Sequence, residues 1–252
     1  MTTFIVGLLA LLALIPIERR SRAPMLRLSL FSSRQFDAIN ITTVLVYGAL
    51  AAAGYLVTVQ LELRLGYTAA QAGAALIPVT AVFLLLSPLS GFLVSRVGVR
   101  WLMVAGILLI AGSQFWLAQV HPGSGYVETI LPAALVRGLG LGLMVTPLTA
   151  AVLAAVADSD LGEASAINDA AARVGGVLMV ALVPLLIGVT AGSSLTAALT
   201  HGYRQAMIAM GGLCVAGAIV TWLFVADERP ARSPVAAPDR GGALPIADDS
   251  AS

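Results

Sequence analysis

"GFLVSRVGVR", residues 91–100, stands between two long apolar runs, and its reading decides the fold. The run before it, Leu65–Ser95, holds 31 residues without Asp, Glu, Lys or Arg, and the run after it, Trp101–Val127, holds 27. A bilayer hydrocarbon core about 30 Å thick is crossed by roughly 20 apolar residues in helix. Both runs are long enough, so residues 91–100 read as a turn at the membrane surface between two spanning helices. In that reading Gly91 and Leu93 belong to the end of the first helix, where Gly91 allows a close helix approach. Gly98 permits the reversal. Arg96 and Arg100 meet lipid headgroups and the carbonyls at a helix C-terminus.

The same count extends along the chain. Charge-free stretches cover Ala38–Leu61, Gly138–Ala157, Val174–Tyr203 and Gln205–Ala226, with 24, 20, 30 and 22 residues. Met1–Ile17 adds a marginal 17. The reading is therefore all-α, with helices near 2–17, 37–60, 69–94, 101–119, 128–154, 164–190 and 204–225: seven in all. Strict alternation of apolar and polar residues is missing, which argues against a membrane barrel. Composition agrees: 59% of the 252 residues are hydrophobic and 11% charged, against about a quarter charged in soluble domains. Mean hydropathy is +0.95. The first stretch lacks a basic residue ahead of it and a small-residue cleavage site behind it, so it reads as a membrane span cut short and not as a signal peptide.

All 14 basic residues are arginine, and their placement fixes an orientation. With the N-terminus outside, one side receives Arg19, Arg20, Arg22, Arg27, Arg34, Arg96, Arg100, Arg229, Arg232 and Arg240. The other receives Arg64 and Arg204, while Arg137 and Arg173 fall within spans. Ten against two places the 91–100 turn and the C-terminus in the cytoplasm. The chain then divides into a spanning helix at 1–17, a basic cytoplasmic linker at 18–36, a six-helix unit at 37–225 and a tail at 226–252. The tail is rich in proline and acid, cannot bury a core, and is expected to be disordered in the cytoplasm.

At this point a resemblance becomes usable. Gly91-x-Leu93-x-Ser95-Arg96-x-Gly98-x-Arg100 resembles the signature loop of the major facilitator superfamily, with Ser95 where the family prefers Asp and Val99 where it prefers Arg. The ordered stretches "YLVTVQLELRLGYTAAQAGAALIPV", "LVRGLGLGLMVTPLTAAV" and "GEASAINDAAARVGGVLMVAL" are similar to the fourteen-span drug:proton antiporter branch. The resemblance implies a six-helix C-terminal half built as two inverted three-helix repeats, with 2–17 as a linker helix before it. It further implies a multi-pass protein of the plasma membrane exporting amphipathic small molecules by alternating access, with the proton gradient as energy source and no bound cofactor. Its partners would be the lipid bilayer, a small-molecule substrate and an N-terminal half.

Particular residues then become candidates. Arg137 lies about 12 Å down its helix by rise per residue, and a charge at that depth is costly. It opens "RGLGLG", similar to a degenerate family motif, which makes it a coupling residue; the alternative is an arginine paired with a carbonyl or reaching a wet cavity. Asp169 and Arg173, four apart on one helix face, line the cytoplasmic entry or simply neutralise each other, and Asn168 precedes them. Asn40, Tyr47 and Gln60, with Gln114 in a later span, are substrate-path candidates or ordinary interhelical hydrogen-bonding groups. Gly138 with Gly142, Gly175–Gly176 and Gly211–Gly212 are close-contact points.

Other function classes fare poorly. A phosphate-binding Walker loop needs a lysine, and the chain has none. No His-Glu-x-x-His or Gly-x-Ser-x-Gly occurs, and His121 and His201 fall in expected external loops. Cys214 is the single cysteine, so it is a packing residue. No metal site is expected, and no basic stripe suggests nucleic acid. A transporter half is the leading reading; a non-transporting split subunit that needs an N-terminal half from another chain is the alternative.

Overall fold

The computed structural model describes residues 28–189 and 194–227. The span expected at 2–17, Arg19, Arg20, Arg22 and Arg27, and the tail with Arg229, Arg232 and Arg240 lie outside the described residues. A short 3-10 turn, Leu28–Ser32, leads into helix α1, Arg34–Leu65, started by the Ser33 hydroxyl accepting from the Phe36 N–H and closed at Gly66. A capping box between Thr68 and Gln71 starts the short α2, Ala69–Ala74, which runs on into α3, Ile77–Val97. Helix α4 is Val99–Leu117. A π-helical turn, Tyr126–Ile130, feeds α5, Leu131–Ala154. A 3-10 turn at Asp158–Asp160 precedes α6, Leu161–Leu186, and Ser194 caps α7, Leu195–Phe224. Among the described residues there is no strand, and six segments are long and apolar enough to cross a membrane, α2 and α3 sharing one of them.

Two boundaries differ most from the charge-based reading. The last helix begins at Leu195, nine residues before Arg204 would have opened it, and His201 therefore lies on α7 and not in a loop. The first helix runs on past Glu62 and Arg64 to Leu65. In both places a charged side chain near a helix end stays helical, because a long stem carries its head to the interface without unwinding the backbone.

Packing does not follow chain order. The helices form a ribbon in the sequence α6, α1, α7, α4, α5, α3, and consecutive helices such as α3 and α4 or α6 and α7 barely touch. Let α1, α3 and α4 be one triplet and α5, α6 and α7 the other. Helix α1 packs on α6 and α7; α5 packs on α3 and α4; α4 and α7 join the triplets. Exchanging the triplets in order leaves this set of pairings unchanged.

Without water to drive apolar faces together, helices in lipid associate through close backbone packing. The α4–α5 contact shows how near they come. A Cβ built on Gly106 would stand 2.6 Å from the Gly140 carbonyl oxygen, and one on Gly140 would stand 2.6 Å from the Gly106 carbonyl oxygen. Between α1 and α6, a Cβ on Gly175 would stand 2.6 Å from the Val44 carbonyl oxygen. Gly138 and Gly142 face Val79 and Leu86 of α3, and Gly211 faces Phe115 of α4, whereas Gly212 meets nothing within 4 Å. Gly91 also meets nothing within 4 Å, which corrects the expectation of a close approach there: it lies on an exposed face of the end helix α3.

The ends of the ribbon differ from its middle. Only 11% of the most apolar window is buried in the α3 span and in the α6 span, against 50% in α1 and in α4. Leu84, Leu85, Leu89 and Phe92 on α3, with Val174, Val177, Leu178, Leu182 and Leu185 on α6, are exposed.

Candidate functional site

Arg137 is carried by α5 between the close-packed faces toward α3 and α4, and it is 5% exposed. Its Nη2 donates to Gln114 Oε1 on α4 at 3.0 Å. Tyr203 and Cys214 of α7 lie near enough to act on its charge. No carboxylate belongs to that set. Arg137 Nε, Gln114 Nε2 and the Tyr203 hydroxyl are buried without a hydrogen-bond partner. The three helices thus enclose a guanidinium held by one neutral amide, with unused donors around it. Buried donors without acceptors are expensive, so the arrangement is poised to take up an acceptor group. The sequence alone left Gln114 a solitary polar residue; its pairing with Arg137 depends on α4 packing against α5, which spacing along the chain does not reveal.

A second polar group lies along the α1–α6 contact. Asn168 Nδ2 donates to Asn40 Oδ1 at 3.2 Å and to Thr43 Oγ1 at 2.8 Å. Asn40 Nδ2 is in turn bonded to the Phe36 carbonyl at 2.9 Å, and Thr43 Oγ1 to the Ile39 carbonyl at 2.9 Å. Asn40 and Thr43 are therefore each oriented by a backbone bond on their own helix. Asp169 approaches Tyr47 closely enough for the two to interact electrostatically. Asn40 also lines a groove of about 400 Å³ with Phe31, Asp37, Ile41, Val44 and Leu45. Asp169 and Arg173 are both exposed, and among the described residues no ion pair joins them. Thr43 was missed in the sequence because a threonine in a span most often only bonds back to its own helix.

The turn at 91–100 is tight. Gly98 ends α3 and begins α4 with φ 96°, in the region that only glycine enters without strain. The Arg96 guanidinium lies 4.5 Å from the centre of the Phe92 ring, and that of Arg100 lies 5.8 Å from the Trp101 ring. Leu93 is half-buried beside them. The chain leaving α7 folds against this turn: the Asp227 carboxylate occupies the space where a Gly98 Cβ would project. Asp227 Oδ1 and Arg100 Nε are both buried without partners. Asp227 is a further residue that the sequence reading did not single out, since it stands 129 positions from Gly98 and only the return of α7 brings it there.

Gln60 is 3% exposed, with Oε1 buried and unpartnered, and Gly66 closes its helix. It faces the neighbouring ends of α4 and α7. The site candidates therefore fall into four places: Arg137 with Gln114; Asn40, Tyr47, Asn168 and Asp169 with the exposed Arg173 a turn further on; Gly91, Leu93, Arg96, Gly98 and Arg100 around the turn; and Gln60 at the opposite end. Among the described residues no group of His, Cys, Asp and Glu could hold a metal ion.

The family model described as Major Facilitator Superfamily matches residues 39–247. The chain is 31% identical over 226 residues to the cephamycin export protein CmcT of Amycolatopsis lactamdurans, covering 88% of this chain and 46% of that protein. It is 28% identical over 242 residues to the puromycin resistance protein pur8 of Streptomyces alboniger, covering 89% of this chain and 47% of that one. The multidrug resistance protein Stp of Mycobacterium tuberculosis (strain CDC 1551 / Oshkosh) is 32% identical over 163 residues, 64% of this chain and 30% of Stp. The chain thus spans about half the length, or less, of these relatives.

Proposed function

The chain belongs to the major facilitator superfamily of membrane transporters, and on that premise we propose that it acts as a six-helix C-terminal half, exporting amphipathic small molecules by alternating access against a second half. The two triplets are the inverted repeats of such a half: three spans each, so the second enters the bilayer from the opposite side, with α4 against α7 at the pseudo-symmetry axis. The cytoplasmic side carries the signature loop and the C-terminal tail, the membrane is the plasma membrane, and proton movement supplies the energy. Export and resistance are the activities that the names of CmcT, pur8 and Stp carry. Asp227 supplies at the signature loop the carboxylate that Ser95 does not.

The observation that carries this reading is the open face of α6. Arg173 lies twelve residues beyond Leu161, about 18 Å along the helix axis at 1.5 Å per residue, and Asp169 lies one turn before it. Both are exposed in a membrane-length helix. Charges at such depth face water or another protein surface and not lipid. Beside them lies the α1–α6 polar seam of buried Asn40 and Asn168 and half-buried Tyr47, which reaches a groove at Asn40. The open face is then a wall of the substrate path, and the apolar faces of α3 and α6 are the seats of the second half.

The test is efflux of a fluorescent amphipathic dye from cells that express the chain with an N-terminal six-helix half. Asp169→Asn and Arg173→Gln are each expected to slow efflux about tenfold, the cost of one charge-assisted contact, with unchanged amounts of protein in the membrane. Wild-type efflux in both variants would overturn the assignment of α6 to the path.

A further inference from the structure

The two arginines that the positive-inside bias leaves on the far side, Arg64 and Arg204, are 140 positions apart in the chain. They line one pocket of about 400 Å³ between the C-terminal ends of α1 and α4 and the first turns of α7. This pocket lies at the opposite end of α4 from the signature loop. His121, Gln119 and Thr200 line it too, and Gln60 and Tyr203 form its buried floor. No Asp or Glu is among the lining residues.

Arg64 alone has an ordinary explanation, since a cation in the last turn of a helix meets unpaired carbonyls. Its Nη1 also donates to Thr200 Oγ1 at 2.7 Å. Arg204 has no such explanation, because it stands in the third turn of α7. The floor adds an independent signal. Gln60 and Tyr203 are each 3% exposed, and Gln60 Oε1, the Tyr203 hydroxyl and Arg64 Nε have no hydrogen-bond partner. A tyrosine hydroxyl can donate, and a glutamine amide offers either N–H₂ or C=O by turning about its last torsion. Two guanidinium groups with these polar atoms, and no carboxylate to neutralise them, form a receptor for a tetrahedral oxyanion.

We propose that this pocket binds an oxyanion of the phosphate class, taken either from the headgroup of an anionic lipid or from solution. The site is separate from the α1–α6 seam, and its test reads binding and not transport, so it stands or falls apart from the transport proposal. Tyr203 also borders the Arg137 surroundings, which gives an occupied pocket a direct neighbour in the buried pair.

The test uses the full chain in lipid nanodiscs, with unfolding temperature as the readout. One arm adds phosphatidylglycerol to phosphatidylcholine discs; the other titrates inorganic phosphate into phosphatidylcholine discs. The wild-type chain is expected to gain stability in at least one arm. The apparent affinity should fall about tenfold for each arginine removed in R64Q and R204Q. Tyr203→Phe, which keeps the packed ring, should weaken binding without altering the fold. A response to phosphatidylglycerol alone identifies the lipid as the source, and a response to phosphate identifies the free anion. Equal responses of wild type and R64Q/R204Q in both arms would overturn the proposal.

Discussion

Arg137→Met is expected to raise the stability of the chain in membranes while lowering transport about a hundredfold. The opposite signs follow from the surroundings of the guanidinium. It is buried, bonded to the single neutral acceptor Gln114 Oε1, and its electrostatic neighbours include no carboxylate. Taking a poorly compensated charge out of a low-dielectric interior relieves several kcal/mol of desolvation, which outweighs the cost of about 1–3 kcal/mol for leaving the Gln114 amide unpaired. Methionine is unbranched and adaptable, so it fills most of the space that the arginine leaves. The lost interaction with an acceptor entering during the transport cycle amounts to about 1.5–3 kcal/mol, up to a hundredfold in rate at about 1.4 kcal/mol per decade. Thermal unfolding in detergent, together with dye efflux in the paired form, checks both signs. An Arg137→Met chain that is destabilised and transports normally would identify Arg137 as a structural residue.

The second large effect falls on the α4–α5 contact. Gly106→Val and Gly140→Val each force a branched side chain onto a facing backbone carbonyl, where even a Cβ would stand at 2.6 Å. Overpacking a close contact costs about 1–3 kcal/mol, and here backbone, not a mobile side chain, must yield, so the upper end is expected. The bundle should lose its α4–α5 pairing and with it the seat of Arg137. Gly112→Ala on the same helix α4 is the control. Nothing lies within 4 Å of its Cβ position, and glycine to alanine in a helix gains about 0.8–1 kcal/mol. Comparing the unfolding midpoints of the three variants tests whether close backbone contact, and not glycine content, holds these helices together.

Much of the fold is legible in the sequence because the bilayer sets one length scale. Runs without charge gave the six described spans, and Gly98 marked the reversal between α3 and α4. The partners of each helix were not legible. A helix in lipid is apolar nearly all round, so periodicity does not say which face turns inward, and α1 packs on α6 and α7 far along the chain. For the same reason the pairing of Gln114 with Arg137, the bond from Asn168 to Thr43 and the return of Asp227 to Gly98 could not be read from spacing. Charge as a boundary marker failed where an arginine sits on a helix, as at Arg204. Individual polar residues were visible as candidates, but their grouping into a buried pair, an α1–α6 seam and a far-side pocket is a property of the packing.

The proposed topology alternates its spans across the bilayer, with the signature loop and the end of α7 on one side. Asp227 against Gly98 places those two together, and α4 carries the chain from there to the far end. The direct measurement is labelling of intact cells with a membrane-impermeant thiol reagent, using single cysteines in a Cys214→Ala background. Ser95→Cys and Asp158→Cys should label only after permeabilisation, while Pro122→Cys and Gly188→Cys should label at once. Labelling of Ser95→Cys and Pro122→Cys from the same side would refute this topology.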